Sequence, residues 1–459
     1  MSKFQVLSAA AAVALFTTAS AHALSLRDAI DYAVRTNPQI SAAQASRRAT
    51  DHVLEQAKGR YYPEISLNAD VGAQKIDRPN GFGPNDNDKW RTRRQVSLTF
   101  RQQLFDGFER LNGMYQAHAR IRAASYKVLA RAEVVALSVV EAYIDVVRHR
   151  SLLGLANSNV KRHRQLLQLV QDRVAGGKNA AGDLEQTRER LEAAIALQAQ
   201  VKISLDVANA KFKAAVGKRA RKLHKVRPAK LGFRQVSSAV GHAIENNPRL
   251  QAIRSEIDVA GFEKDKFTSS LYPQLTFEGS AQRGEDLEGT PGRSDELRAM
   301  VVLQWKLFDG GVREARVSEL TEREYVEIAE HDSFARELTA EVEIAWSKAI
   351  EGRRRVAALG RQVKQNNGVV AAYRNEYEAD KRSLLDVLDA ENSRFASQFD
   401  LSNASAIQRF STYQLAANTG RLLDLFNISR PAGADVAVAP SRVGGSSRSS
   451  YSFTIPPLK

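Results

Sequence analysis

The chain carries one pattern twice. Asn37-Pro38 is followed 25 residues later by Tyr62-Pro63, and Asn247-Pro248 is followed 25 residues later by Tyr272-Pro273, an offset of 210. Leu104-Phe105-Asp106-Gly107 recurs as Leu307-Phe308-Asp309-Gly310 at an offset of 203. That second offset persists, setting Val174, Gly177, Asp183 and Leu184 opposite Tyr377, Asp380, Asp386 and Val387. The interval from Asp106 to Asp183 is 77 residues, as is that from Asp309 to Asp386. A gapless segment of this length suits rigid rods packed in register, because one inserted residue rotates everything beyond it by about 100°. The slack sits elsewhere: Tyr62 to Leu104 is 42 residues but Tyr272 to Leu307 only 35, a difference that a loop tolerates. Two equivalent halves follow, each with a variable loop and a rod of fixed length.

The first residues read as a secretory signal: Lys3, an apolar stretch from Val6 to Phe16, and Ala21-His22-Ala23 as an A-x-A cleavage site, so the mature chain is expected to begin at Leu24. No later stretch reaches the 18 or so apolar residues that a spanning helix needs, so any membrane insertion must use strands. The absence of cysteine excludes disulfides, thiolate metal sites and a lipid-modified cysteine. Over half of the formal charge of +15 lies between Lys218 and Arg234, which hold eight Lys or Arg and no acid. A solvated connection between repeats is the commoner reading of such a run, and export argues against nucleic acid as a partner. The expected organisation is a signal peptide at 1–23, a first repeat at 24–217, a basic linker at 218–234, a second repeat at 235–427, and a disordered tail at 428–459, polar and rich in Ser, Gly, Pro and Arg from Arg430 onward.

After Gly107 the pattern becomes helical. Met114, Ala117, Ile121, Ala124, Val128, Ala132, Val135, Val139, Ala142 and Val146 recur at steps of three and four, and no proline falls between Glu109 and Val174. Those residues would make a rod of about 100 Å, far longer than a globular helix. Gly176-Gly177-Lys178-Asn179 interrupts it and Asp183 to Val216 resumes it, a helical hairpin; the second half repeats this from Val312, through a turn near Asp380, to about Phe426. Before each rod comes a pair of alternating segments. Ile65, Leu67, Ala69, Val71 and Ala73 form one apolar face, and Val96, Leu98 and Phe100 form that of the returning strand. Leu275, Phe277, Gly279 and Ala281, then Leu297, Ala299, Val301, Leu303 and Trp305, do the same in the second half. Strands of about 9 to 11 residues cross a bilayer when tilted. Four strands leave two open edges, which lipid forbids, so other copies must complete the barrel. Three copies give twelve strands, and a homotrimer is the smallest assembly with a pore.

On the Leu-Phe-Asp-Gly landmarks, the duplicated order of elements, and above all the segment from Tyr377 to Glu391, the chain resembles the TolC family of outer-membrane efflux and type I secretion channels over about Leu24 to Asn427. The resemblance implies a fold that is mainly α with membrane β: a trimeric 12-stranded β-barrel, four strands per chain, continued by a long α-helical barrel. It implies a passive exit duct in the outer membrane of a Gram-negative bacterium. Its partners would be a periplasmic adaptor, an inner-membrane transporter of the RND or ABC type, and outer-membrane lipid. Asp386 and Asp389 match the aspartates that ring the periplasmic entrance; three apart, they share a helix face, and threefold symmetry would converge six carboxylates on one mouth. For Asp386 a capping box with Ser383 is the plainer role. Tyr377, Arg382 and Asp183 match residues that latch the entrance, because a hydroxyl and a guanidinium can donate to one carboxylate; an exposed ion pair at a helix end is the plainer reading there. The chain departs from the family pattern at Gly182 and Asp380. No His-x-x-x-His pair, Gly-x-Ser-x-Gly elbow or Walker loop points to an enzyme, and no metal or cofactor is expected. Two other readings fit the same elements: an exported coiled-coil scaffold with a small soluble sheet, and a periplasmic adaptor, which also uses helical hairpins but normally only one.

Overall fold

The computed structural model describes residues 24–77, 88–230 and 232–436. The expected signal peptide, residues 437–459 and most of the first strand loop lie outside the described residues. Two short helices, α1 (Leu26–Thr36) and α2 (Pro38–Gly59), lead into strands β1 (Glu64–Ile76) and β2 (Lys89–Phe105) and the hairpin α3 (Glu109–Ala175) and α4 (Ala181–Val216). The order then recurs as α5 (Val236–Asn246), α6 (Pro248–Thr268), β3 (Gln274–Glu285), β4 (Arg293–Gln304), α7 (Val312–Glu378) and α8 (Leu384–Asn418), closed by the short α9 (Leu422–Leu425). Helices α3 and α7 are both 67 residues long, a rise of about 100 Å each. Asn37 and Asn247 explain the Asn-Pro pairs. Each caps a helix through its side-chain oxygen while the proline occupies the first helical position, where no N–H is needed.

The strands are longer than the alternation alone delimits. Pairing continues to Ile76 and resumes at Lys89, and the second loop shrinks to residues 286–292. All four form one antiparallel sheet in sequence order, with β1 and β4 at its edges. The register aligns the apolar positions across the sheet: Leu67 opposes Leu98, Leu98 opposes Ala281, and Ala281 opposes Leu297. That apolar face is the open one. Ile65, Leu67, Val71, Val96, Leu98, Leu297, Val301 and Leu303 are all exposed, whereas along β2 the alternating Gln95, Ser97 and Thr99 are half-buried. A soluble sheet buries its apolar face; this one presents it outward, as a strand wall in lipid does. No described helix is long and apolar enough to cross a membrane.

The Leu-Phe-Asp-Gly landmarks join strand to rod. Arg110 Nε donates to Asp106 Oδ2 at 2.7 Å and its Nη1 to the Gln103 carbonyl at 2.9 Å. In the second half Arg313 Nε donates to Asp309 Oδ2 at 2.7 Å and its Nη2 to the Lys306 carbonyl at 2.7 Å. Each arginine thus ties the first turn of its rod to the end of the preceding strand. Gly107 turns the chain at a φ of +65°, and a Cβ there would stand 2.5 Å from the Ser269 carbonyl oxygen, so only glycine fits.

Nine of the ten seam positions named for α3, from Ala117 to Val146, are buried. The main core gathers α1, the middle of α3, the end of α4 and α8–α9, with Tyr143 and Phe212 fully enclosed at its centre. A second core packs α5 and α6 on α7, and a third, around Leu166, Val170, Tyr377, Leu384 and Leu388, holds the two hairpins together at their tips. Of the stretch expected as a disordered tail at 428–459, residues 437–459 lie outside the described residues, and Ile428 and Ala434 are buried in the main core. Tertiary contact, not composition, orders these residues.

Candidate functional site at the hairpin tips

Both hairpin turns follow one backbone scheme. Lys178 N–H bonds the Arg173 carbonyl and Gly177 N–H that of Val174; one offset later, Lys381 N–H bonds the Glu376 carbonyl and Asp380 N–H that of Tyr377. This is a left-handed helix stop with a 6→1 bond. It needs positive φ at Gly177 (+72°) and at Asp380 (+59°). Aspartate is among the few side chains that tolerate this region, so the departure at Asp380 keeps the turn and adds a carboxylate.

That carboxylate has a use. Arg173, at the end of α3, forms an ion pair with Asp380 across the two hairpins and lies over the Tyr377 ring at 4.7 Å. Its Nε also donates to Asn179 Oδ1 at 2.8 Å, and Asn179 Nδ2 donates to Asp183 Oδ2 at 2.7 Å. The second turn carries the equivalent chain of side chains. Arg382 Nε donates to Glu376 Oε2 at 2.9 Å and its Nη1 stands 3.8 Å from Asp386 Oδ2, with the guanidinium over the Tyr373 ring at 4.1 Å. The pair Arg173 and Asn179 maps onto Glu376 and Arg382 at the offset of 203, so one structural link is kept while a guanidinium–amide bond becomes an ion pair with its arginine on the other side.

Within the protomer, then, Arg382 is held by Glu376 and not by Asp183, whose carboxylate is taken by Asn179. Tyr377 is only 3% exposed, and its hydroxyl is enclosed beside Asn179 and Arg173 without an aligned hydrogen bond to either. Burial, with Asp183 nearby, raises the phenol above its ordinary pKa, so it stays a donor. Asp380 shifts the other way, lowered by its bond from Arg173. Asp386 completes the capping box, its N–H on Ser383 Oγ at 3.2 Å while Ser383 Oγ donates to Asp386 Oδ2 at 2.8 Å. Asp389, one turn on, is exposed, whereas Val387, Leu388 and Ala390 around it are buried. The tip therefore combines a shallow polar recess lined by Arg173, Asp183, Tyr377, Asp380 and Arg382 with two carboxylates on the first turns of α8. Arg173, Asn179, Glu376 and Tyr373 escape a motif-based reading; the signal that could have found Asn179 is the offset of 203, which sets it opposite Arg382.

The sequence model of the outer membrane efflux protein family matches residues 29–218 and 239–421, which takes in both hairpins, both strand pairs and both tips. The chain belongs to that family. It is similar to the outer membrane efflux protein BepC of Brucella suis, with 25% identity over 86% of this chain and 85% of that protein. It is also similar to the alkaline protease secretion protein AprF of Pseudomonas aeruginosa, with 24% identity over 84% and 82%. The fold matches the crystal structure of the outer membrane protein VceC from Vibrio cholerae, with a TM-score of 0.73 at 17% identity over 88% and 97% of the two chains. The protein is an efflux-family channel of the Gram-negative outer membrane. The exposed apolar face of the sheet agrees with this and speaks against a soluble scaffold. Two complete hairpins, one in each of the two segments that the family model matches, speak against an adaptor.

Proposed function

We propose that three copies of the chain close a 12-stranded barrel and form a passive exit duct whose rods continue as a helical barrel across the periplasm. The observation that carries this reading is the four-stranded sheet, apolar on its open face and ending in β1 and β4. Those edges need strands from other copies before the sheet can sit in lipid. The two halves are structural repeats, a reading supported by the equal rods and the twin turn geometry. A periplasmic adaptor and an inner-membrane transporter of the RND or ABC type dock at the hairpin end. They set the cargo, from drugs and small molecules to secreted proteins, and the duct needs no cofactor.

The tip is its gate. Asp386 and Asp389 of three copies form the constriction, and Asp183, Tyr377 and Arg382 belong to the latch. Arg173 joins that latch as the direct tie between the hairpins of one protomer. Conductance in planar bilayers tests the proposal. The detergent-purified protein should insert as a low-conductance, cation-preferring channel, and a protein that never forms a pore would overturn it.

A further inference from the structure

Residues 218–230, within the run from 218 to 234 expected as a solvated linker, form a strap whose backbone is held at several points. Arg150 Nη2 donates to the Ala220 carbonyl at 2.6 Å, and Leu24 N–H to that of Lys222 at 3.0 Å. His224 N–H donates to the Tyr143 hydroxyl at 2.8 Å, Tyr413 Oη to the Arg227 carbonyl at 2.7 Å, and Ala229 N–H to Thr412 Oγ1 at 2.9 Å. Leu223, Val226 and Ala229 turn inward onto the main core. Lys218, Arg219, Arg221, Lys222, Lys225, Arg227 and Lys230 are all exposed. Lys218 lies over the Tyr32 ring at 3.4 Å, and none of the seven pairs with a carboxylate among the described residues. Residues 437–459, beyond the described part of the chain, contain no Asp or Glu to neutralise them.

Seven cations held on an ordered backbone are an electrostatic surface prepared in advance. Its height in the molecule narrows the partner. The strap clasps α3 at Tyr143, which follows Glu109 at the strand end by 34 residues, or about 50 Å of helix. Salt screens charges beyond about 8 to 10 Å, so lipid headgroups at the barrel are out of reach. The tip lies a further 25 residues beyond Arg150, about 40 Å away. A folded protein partner would be anchored by apolar or aromatic side chains, and the strap turns its apolar residues inward, leaving Lys, Arg, His224 and Pro228 outside. We infer that the strap binds a carboxylate-bearing polymer of the cell wall midway across the periplasm. This rests on the outer-membrane placement and is independent of the gate.

The test is co-sedimentation of the detergent-solubilised full-length protein with insoluble peptidoglycan sacculi. The protein should pellet at low salt, be released at about 0.5 M salt, where the screening length is only a few ångströms, and ignore sacculi whose carboxyls have been amidated. Combined Arg219→Gln, Arg221→Gln, Lys222→Gln and Lys225→Gln should weaken retention about tenfold or more without altering oligomer mass or conductance, while Arg219→Lys with Arg221→Lys retains binding. Equal retention on amidated sacculi, or equal retention of the fourfold Gln variant, would overturn the proposal. So would a fourfold variant that loses its oligomeric state, because the cations would then serve contacts between copies. A native protein that fails to pellet but conducts normally would refute the strap and leave the duct standing.

Discussion

Arg173 connects the two hairpins of a protomer through a single carboxylate, that of Asp380, and closes the recess over Tyr377. Asp380→Asn keeps the left-handed turn, since asparagine tolerates it, and removes only the charge. It should raise open probability in bilayers, and Arg173→Ala should do so at least as much, because it also uncovers the buried phenol. Unchanged gating in both variants would remove this tie from the latch. The same pair gives a pH dependence. The carboxyl of Asp380 is depressed below its ordinary value of 3.8, so its contribution is present above that value and is lost as pH falls through the lowered one. Opening should therefore grow in the wild type as pH falls below 3.8 and already be present in Asp380→Asn, a difference that bilayer recording at stepped pH measures directly.

Asp386 and Asp389 separate capping from gating. Asp386 has a role in the box with Ser383, and its loss alone should cost about 0.3 to 1 kcal/mol of local helix stability. Asp389 has no such role. If the two carboxylates of each copy converge on the entrance, replacing both by Ala should abolish block by multivalent cations added from the periplasmic side and reduce cation preference, while the oligomer persists. Persisting block at wild-type affinity would move the constriction elsewhere.

At the scale of elements, Glu133 links the rod to the end of the chain. Its carboxyl is buried inside α3, where Oε1 accepts the Leu423 N–H at 3.3 Å at the start of α9. Burial pushes its pKa to about 8, against backbone hydrogen bonds from Leu423 and Leu422 that pull it down; Asp424 and Arg430 are the nearest charges and act in opposite senses. A folded pKa above the unfolded value of about 4.5 means that the stabilising contribution is full below about pH 4.5. It is then lost as pH rises to about 8, up to about 5 kcal/mol across the window. Glu133→Gln, neutral throughout, should flatten that dependence. Amide exchange of Leu422–Leu425 compared at pH 5 and pH 8.5 should show α9 loosening in the wild type and not in the variant; equal protection at both pH values would contradict it. The rods set a stricter rule. One Ala inserted into α3 between Tyr143 and Leu166 would turn the tip by about 100° relative to the main core and should destroy channel assembly. One residue added in the loop of residues 286–292 should be tolerated.

For the whole molecule the prediction is stoichiometry. Edge strands β1 and β4 require partners, so mass measurement in detergent should give a homotrimer, and a stable monodisperse monomer would refute the closed barrel. On intact cells, external protease should reach the loop between β3 and β4 and spare the hairpin turns; the reverse pattern would invert the orientation.

Much of this architecture was legible because it is periodic. Rods written every three to four residues, strands written every two and a gapless 77-residue register are local or regular constraints, and the Asn-Pro helix starts and Gly177 stop carry their own stereochemistry. The repeat offset also set Asp183 opposite Asp386, while their expected place at the entrance came from the resemblance to the family. Other features depend on side chains brought together over long separations. Arg173 meets Asp380 from 207 residues away, Glu133 meets Leu423 from 290, and Thr412 fixes the strap from 183. No period or motif encodes such pairs, and charge content read the exposed cations of the strap but not the hydrogen bonds that hold its backbone at Ala220, Lys222, His224, Arg227 and Ala229. The strand lengths, the ordering of Ile428 to Ala434 and the assignment of Arg382 to Glu376 were likewise settled by which groups pair in space, since a buried or facing polar group takes the nearest partner that the packed helices provide.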